Sequence, residues 1–310
     1  MRSLTTVDGN GGLVDVVSPM ALLPAVLWML RQRVITAVLM ASAFLAGVYW
    51  LPLPVLAILF AIVVALGAWE WAALAGFKGV GAKAVYALLV ILGAVALYVY
   101  AGYGVAPDAA VTRERIQPVL GLACLWWCFA LLWVKSYPAS AGIWSSRLVR
   151  SVMGLLILLP AWFAAVYLLH VEGRGAVMVA FVLVVATADI GAYFTGRSLG
   201  RHALSPSVSP GKTWEGLWGG VAMVVLLGAV IWSFLPARFE HLSLTAAIAV
   251  CLVTAFASVL GDLTVSMVKR VSGVKDSSSL LPGHGGLLDR LDSLCAAAPT
   301  FALSLLLVGF

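Results

Sequence analysis

The chain has 310 residues, of which 63% are hydrophobic and only 10% are charged, and its mean hydropathy is +1.07. Apolar runs of about 20 residues recur along it, which excludes an ordinary soluble domain. The net charge of +6 requires no nucleic-acid partner, because Lys and Arg cluster between the apolar runs, where anionic lipid headgroups are natural neighbours. We therefore predict an all-α, polytopic integral membrane protein with membrane lipids around it.

The chain divides into three predicted parts. Residues 1–28 are polar and Gly-rich at first and then carry a short apolar piece, 20–28, which either lies in the membrane interface or is disordered. We predict an N-terminal extension over 1–28 and N-terminal transmembrane helices over 29–175. Residues 176–310 form a C-terminal transmembrane region that carries most of the polar segments and, with them, the predicted chemistry.

The apolar runs predict about nine transmembrane helices. Their predicted bounds are 34–50, 54–76, 84–101, 117–134, 148–169, 176–196, 216–235, 243–261 and 291–310. With nine spans, fifteen of the nineteen Lys and Arg fall on the side of the N-terminus. The positive-inside rule then predicts a cytoplasmic N-terminus and an outside C-terminus.

Glu70 is the one carboxylate in the second predicted span, where it stands in the run GAWEW. A carboxylate inside a membrane segment is a candidate functional group. The alternative is a position at headgroup level, between the interfacial side chains of Trp69 and Trp71. The sequence leaves both interpretations open.

Asp189 lies in or at the end of the sixth predicted span, in the polar segment 188–202. A bare charge there costs about 2.5–3.5 kcal/mol on insertion scales, so we expect it to face a cavity or a partner. The alternative is a polar contact between packed helices. We predict that Asp189 contacts substrate.

The next polar segment, 204–216, contains two Ser-Pro pairs and then Gly-Lys-Thr. The last three residues imitate a phosphate-binding P-loop, but Pro206 occupies the position of its first glycine, and we expect no strand before it. We therefore reject that motif and predict a rigid loop that contacts substrate, with an ordinary cytoplasmic turn as the alternative. The candidate side chains are Ser205, Ser209, Lys212 and Thr213.

The most polar part of the chain is 261–292, which holds eight of the 32 charged residues, four acidic and four basic. Converging carboxylates need a cation and converging bases need an anion, so a metal–phosphate ligand would satisfy both. Asp262, Ser266 and Lys269 share one stripe if the segment is helical. Folding back at the Pro-Gly-His-Gly-Gly run can bring Asp289 beside Asp262, and two carboxylates suffice for Mg²⁺.

Three other interpretations of 261–292 remain. Surface ion pairs are worth about 0–1 kcal/mol each and would not require this density of charge. A transporter for an anionic solute would also place charges among its helices, although the first five spans lack matching polar segments. A CTP-dependent lipid kinase would use the same site with a different product.

The segment SMVKRVSGVKDSSSLLPGHGGLLDRLD closely resembles the signature of phosphatidate cytidylyltransferases, the CDP-diacylglycerol synthases. Every fixed position of that signature, S-x-x-K-R-x4-K-D-x4-[LI]-P-G-H-G-G-x-x-D-R-x-D, is filled. Segments 188–201 and 204–216 are also similar to this family, and the resemblance covers roughly 29–310. One departure is Val265, where family members often have Glu.

The resemblance implies a homodimeric enzyme of the bacterial inner membrane that joins CTP to phosphatidate at a cytoplasmic cleft. It implies Mg²⁺, held by Asp262 and Asp289, and allows a second, monovalent cation such as K⁺. We predict substrate contacts also for Ser266 and a positioning role for His284, since the phosphate nucleophile is already ionised. The positions assigned to catalysis are Lys269, Arg270, Lys275, Asp276, His284, Arg290 and Asp292.

Overall fold

The computed structural model describes residues 4–7, 13–16, 35, 38–103, 113–171, 174–235, 242–280 and 285–309. The elements in chain order are β1 (Leu4–Val7), β2 (Leu13–Val16), α1 (Val38–Trp50), α2 (Leu53–Leu74), α3 (Val80–Ala101), α4 (Arg113–Lys135), α5 (Ala141–Trp144), α6 (Arg147–His170), α7 (Arg174–Leu199), β3 (Ala203–Ser205), β4 (Ser209–Thr213), α8 (Trp214–Ser233), α9 (Leu244–Val271) and α10 (Leu288–Leu307).

The predicted all-α membrane fold is confirmed. Within the described residues, eight helices are long and apolar enough to cross a membrane: α2, α3, α4, α6, α7, α8, α9 and α10. They correspond to the second to ninth predicted spans. The first predicted span, 34–50, appears as the shorter apolar helix α1, and residues 34, 36 and 37 lie outside the described part of the chain.

Helix α9 ends ten residues later than predicted, because it continues beyond residue 261 to Val271. Hydropathy ends the span where charged residues begin. In the folded chain, Val265 and Met267 of this extension are buried in the core, while Asp262 and Lys269 contact groups of opposite charge. The helix can therefore continue without leaving an unpaired charge in an apolar environment.

Helices α2, α6 and α10 form the centre of the hydrophobic core, with Trp71 and Phe163 fully buried. Two side chains hydrogen-bond the start of α6: Trp71 Nε1 donates to the Arg150 carbonyl at 2.7 Å, and the Tyr86 hydroxyl donates to the Ser151 carbonyl at 2.7 Å. These contacts hold the C-terminal end of α2 and the N-terminal part of α3 against the start of α6. Around this core, α9 packs against both α10 and α8, and α8 packs against α7.

Small residues allow α7 and α8 to pack closely. A Cβ atom at Gly219 would lie 2.1 Å from the Thr195 hydroxyl, and one at Gly220 would lie 2.6 Å from the Ala188 carbonyl oxygen. Such contacts between backbones are typical of membrane helices with small residues at their interface. They place the C-terminal half of α7, with Asp189, next to the start of α8.

Two short antiparallel hairpins were not predicted. In one, β1 pairs with β2 inside the predicted extension 1–28, whose apolar piece 20–28 lies outside the described residues. In the other, β3 pairs with β4, so the expectation that no strand precedes the Gly-Lys-Thr run was wrong. A P-loop connects a strand to a helix, whereas here Gly-Lys-Thr lies within strand β4, so the structure still lacks a P-loop.

Candidate active site

A cavity of about 780 Å³ lies between α7, α8, α9, α10 and the hairpin strand β4. The three polar segments predicted from the sequence meet around it. Twelve predicted site residues line its wall: Asp189, Lys212, Thr213, Asp262, Ser266, Lys269, Arg270, Lys275, Asp276, Asp289, Arg290 and Asp292.

The predicted stripe on α9 is confirmed as a helical face. Asp262, Ser266 and Lys269 lie one and two turns apart on α9, and all three line the cavity. The Ser266 hydroxyl donates a hydrogen bond of 3.0 Å to Asp262 Oδ1. This contact orients the Asp262 carboxylate along the cavity wall.

The hairpin reaches the same carboxylate from the other side. Lys212 Nζ lies 2.5 Å from Asp262 Oδ2, and both side chains keep 27% of their surface exposed. Glu215 holds the hairpin to the start of α8, because its carboxylate accepts hydrogen bonds from the backbone N–H groups of Arg201 and His202. Lys212 thus bridges the 204–216 segment and the α9 stripe at a position open to a ligand.

Asp289 lies in the first turn of α10 and is almost fully buried. Its Oδ1 accepts a hydrogen bond of 2.7 Å from Lys269 Nζ, and the two side chains are 8% and 10% exposed. Its Oδ2 accepts from the backbone N–H groups of Ser277 at 2.9 Å and Gly286 at 3.0 Å, and from the Ser277 hydroxyl at 3.1 Å. The carboxylate is therefore held in one orientation by three dedicated donors and by the Ser277 hydroxyl, which also lies within reach of Glu70.

The carboxylates that interact electrostatically with Asp262 are Asp189 and Asp292. Lys212 is the cation that pairs directly with Asp262. Mg²⁺ prefers oxygen ligands and needs only one or two carboxylates together with phosphate oxygens and water. The partly exposed Asp262 carboxylate, with further carboxylates nearby, fits such an ion, although the described residues include no preformed group of three or more metal ligands.

Arg270 lines the cavity but also supports the hairpin. Its Nε donates a hydrogen bond of 3.0 Å to the backbone carbonyl of Val208, whose side chain is fully buried. Lys275 and Asp276 follow the end of α9 and are exposed at the cavity wall. The basic positions of the signature thus differ in setting: Lys269 is buried and paired, Arg270 supports a backbone, and Lys275 is open to solvent.

Three predicted site residues are not among the residues that line the cavity. Ser205 and Ser209 pair with each other at the closed end of the β3–β4 hairpin and are not among the residues that line the cavity. His284 lies outside the described residues. Thr213 does line the cavity, but its hydroxyl oxygen accepts the Gly216 N–H at 3.1 Å and so caps the start of α8.

Comparison with known proteins identifies the family. Residues 31–308 match the sequence model of the Cytidylyltransferase family. The chain belongs to this family. A phosphatidate cytidylyltransferase of Pseudomonas aeruginosa is 44% identical over 282 residues, which cover 91% of this chain and 99% of that protein. Another, from Haemophilus influenzae, is 38% identical over 289 residues, covering 88% and 98% respectively.

In this cytidylyltransferase, Glu70 has a setting that the sequence did not indicate. Its side chain is only 2% exposed, and the neighbouring Trp71 is fully buried in the protein. It accepts hydrogen bonds from Ser277, Ser278, Leu287 and Leu288, more than 200 residues further along the chain. No local pattern around Glu70 could have shown these partners, because they come from a loop that folds back onto α2.

Tyr193 and Arg197 also line the cavity and were not singled out from the sequence. They lie one turn apart near the end of α7, and Arg197 Nη1 donates a hydrogen bond of 2.8 Å to the Tyr193 hydroxyl. The exposed ring of Phe194 meets the exposed ring of Tyr193 edge-on, with ring centroids 5.5 Å apart. A cavity wall that combines the Arg197 guanidinium with the exposed ring of Tyr193 suits an anion attached to an apolar chain.

Proposed function

We propose that this protein transfers the cytidylyl group of CTP to phosphatidate, producing CDP-diacylglycerol and pyrophosphate. The observation that carries the proposal is the cavity at the ends of membrane helices, in which carboxylates and cations alternate around space for a ligand. Two polyanionic substrates need such a site. The names of the relatives from Pseudomonas aeruginosa and Haemophilus influenzae support the same reaction.

The chemistry requires little acid–base assistance from the protein. A phosphomonoester has its second pKa near 6, so the phosphate of phosphatidate is largely ionised at neutral pH. One of its oxygens attacks the α-phosphorus of CTP, a P–O bond forms, and the bond to the β-phosphate oxygen breaks to release pyrophosphate. Catalysis then depends on positioning the reactants and neutralising charge, for which Lys212, Lys269 and Arg270 are candidates.

Asp262 and Asp289 are the proposed Mg²⁺ ligands. When bound, Mg²⁺ would neutralise charge on the transferring phosphate groups. Asp262 is oriented by Ser266 and faces the cavity, while Asp289 is oriented by Ser277, Gly286 and Lys269. A second, monovalent cation is part of the same proposal. Asp189 and Asp292 place further carboxyl groups near Asp262.

The setting of the enzyme in the cell is also a proposal. We place it in the inner membrane as a homodimer, with its N-terminus and cavity in the cytoplasm and its C-terminus outside. The distribution of Lys and Arg supports this orientation, and CTP is available on that side.

His284 would position a substrate by a hydrogen bond. The names of the curated relatives do not favour an anion transporter or a lipid kinase.

The reaction can be tested with purified protein in detergent, phosphatidate, Mg²⁺ and CTP labelled at either the α- or the γ-phosphate. We expect the α label in CDP-diacylglycerol and the γ label in pyrophosphate. A lipid kinase would instead transfer the γ label to lipid and release CDP. Absence of both labels from lipid, with folded wild-type protein, would contradict the proposal.

Arg197 should contribute to the binding of phosphatidate. An Arg197→Gln variant removes the guanidinium next to the exposed Tyr193 side chain but keeps a polar group of similar size. A hydrogen bond to a charged group is worth about 1.5–3 kcal/mol, so the KM for phosphatidate should rise about 10- to 100-fold. The KM for CTP should change much less. Both constants can be measured in mixed micelles at a fixed detergent concentration.

Arg201→Gln is the matched control. Arg201 is exposed, follows Arg197 by four positions and does not line the cavity. We expect wild-type constants for this variant. Equal effects of the two substitutions would mean that general attraction to the membrane, and not the cavity, explains the role of Arg197. A rise in the KM for CTP alone would assign Arg197 to the nucleotide.

A further inference from the structure

Glu70, near the C-terminal end of α2, holds the loop that leads into α10. Its Oε2 accepts hydrogen bonds from the Ser277 hydroxyl at 2.9 Å and the Leu288 N–H at 2.7 Å. Its Oε1 accepts from the Ser278 hydroxyl at 2.5 Å and the Leu287 N–H at 3.0 Å. A buried carboxylate is tolerated when its oxygens are satisfied in this way, and here each oxygen lies within hydrogen-bond distance of two donor groups.

Two of these donors belong to the start of α10. The residue before the helix, Leu287, provides no side-chain cap for it. Glu70 supplies the missing acceptor from another helix, because it receives the N–H groups of Leu287 and Leu288. The first N–H groups of a helix have no partner within the helix and favour negative charge. Glu70 therefore acts as the N-terminal cap of α10 and sets where its first turn lies.

Ser277 connects this cap to Asp289. Its hydroxyl oxygen lies 2.9 Å from Glu70 Oε2 and 3.1 Å from Asp289 Oδ2, and its backbone N–H also donates to Asp289 Oδ2. The hydroxyl has one proton and so donates to one carboxylate at a time. Ser278 differs, since its hydroxyl contacts Glu70 and the Leu280 N–H.

Glycines allow the loop to come this close. A Cβ atom at Gly286 would lie 1.9 Å from the Ser277 hydroxyl oxygen and 2.9 Å from Glu70 Oε2. Gly285 has a φ of +82°, which favours glycine. The Gly285–Gly286 pair thus permits the loop to pass over Glu70 while the Gly286 N–H donates to Asp289.

From these contacts we propose that Glu70 is a positioning residue for the active site. It caps α10 from α2 and, through Ser277, holds the Asp289 carboxylate in the orientation that meets Lys269 and the cavity. The inference rests on the proposed function, since Asp289 is one of the groups assigned to it. Glu70 itself does not line the cavity and acts through the loop.

Two serine variants separate positioning from simple folding of the loop. Ser277→Ala and Ser278→Ala each remove one hydroxyl that binds Glu70, but only Ser277→Ala removes a contact with Asp289. We expect Ser277→Ala to lower kcat about 10- to 100-fold, with the KM for CTP within about threefold of wild type. Ser278→Ala should keep kcat within about threefold. Equal losses in both variants, or no loss in Ser277→Ala, would overturn the proposal.

A second measurement does not depend on the reaction. In Glu70→Gln the cap loses its charge, so hydrogen–deuterium exchange of Leu287 and Leu288 should accelerate at least about tenfold, while exchange in α3 should stay unchanged. We also expect its kcat to fall about 100-fold. Unchanged exchange at the start of α10 would contradict the role of Glu70, even if the wild-type protein catalysed a different reaction from the one proposed.

Discussion

Replacing Asp262 with Asn should abolish CDP-diacylglycerol formation, with kcat at least about 10³-fold below that of the wild type. A loss of this size corresponds to about 4 kcal/mol of transition-state stabilisation. The carboxylate has two roles that an amide cannot fulfil. It is the partner of Lys212 at 2.5 Å, and it is a proposed ligand of Mg²⁺. The measurement is the initial rate with saturating CTP and phosphatidate over a range of Mg²⁺ concentrations.

Glu114→Gln provides the control for loss of a carboxylate. Glu114 is exposed in the first turn of α4 and does not line the cavity. This variant should keep wild-type activity. The melting temperature of each purified variant shows whether the fold is retained. A folded Asp262→Asn protein with more than a tenth of wild-type kcat would contradict a direct role for this carboxylate.

Replacing Lys269 with Met should reduce both activity and stability. Met has a similar length but no charge, so it leaves the buried Asp289 carboxylate without its cation. Breaking a buried ion pair from one side typically costs about 3–5 kcal/mol. We expect kcat to fall at least about 100-fold and the melting temperature to fall by several degrees. Thermal unfolding and initial rates measured on the same preparation test both effects.

Lys135→Met is the comparison for this substitution. Lys135 is exposed at the end of α4, away from the cavity, and its replacement should leave both quantities near wild type. Asp289 retains its hydrogen bonds from Ser277 and Gly286 in the Lys269 variant. If Lys269→Met melted like wild type and kept half its activity, those hydrogen bonds alone would be sufficient to hold Asp289.

Much of the fold could be predicted because the membrane imposes a simple rule on sequence. A helix that crosses a lipid bilayer needs about 20 apolar residues, so eight predicted spans match helices of the structure within a few residues at most ends. The exception is the end of α9, where the rule fails. Charged residues there face a cavity inside the protein, and hydropathy does not distinguish such a face from a loop outside the membrane.

Most of the residues predicted for the site also meet in space. Asp262, Ser266 and Lys269 could be placed on one face because the spacing of a helix is regular. Ser205 and Ser209 could not be placed, since their positions depend on the pairing of β3 with β4, which was not predicted. The role of Glu70 likewise depends on a contact between α2 and a loop that begins after α9.

The sequence by itself determined the membrane class, the positions of the helices and the polar segments that supply charge to one cavity. It could do so because apolar length and helical spacing are local properties of a chain. Only the tertiary structure decided how those charges pair: Lys212 with Asp262, Lys269 with Asp289, and Glu70 with the start of α10. Each of these pairs joins residues from different elements, and distances between elements are set by helix packing and loop geometry, which no local pattern records.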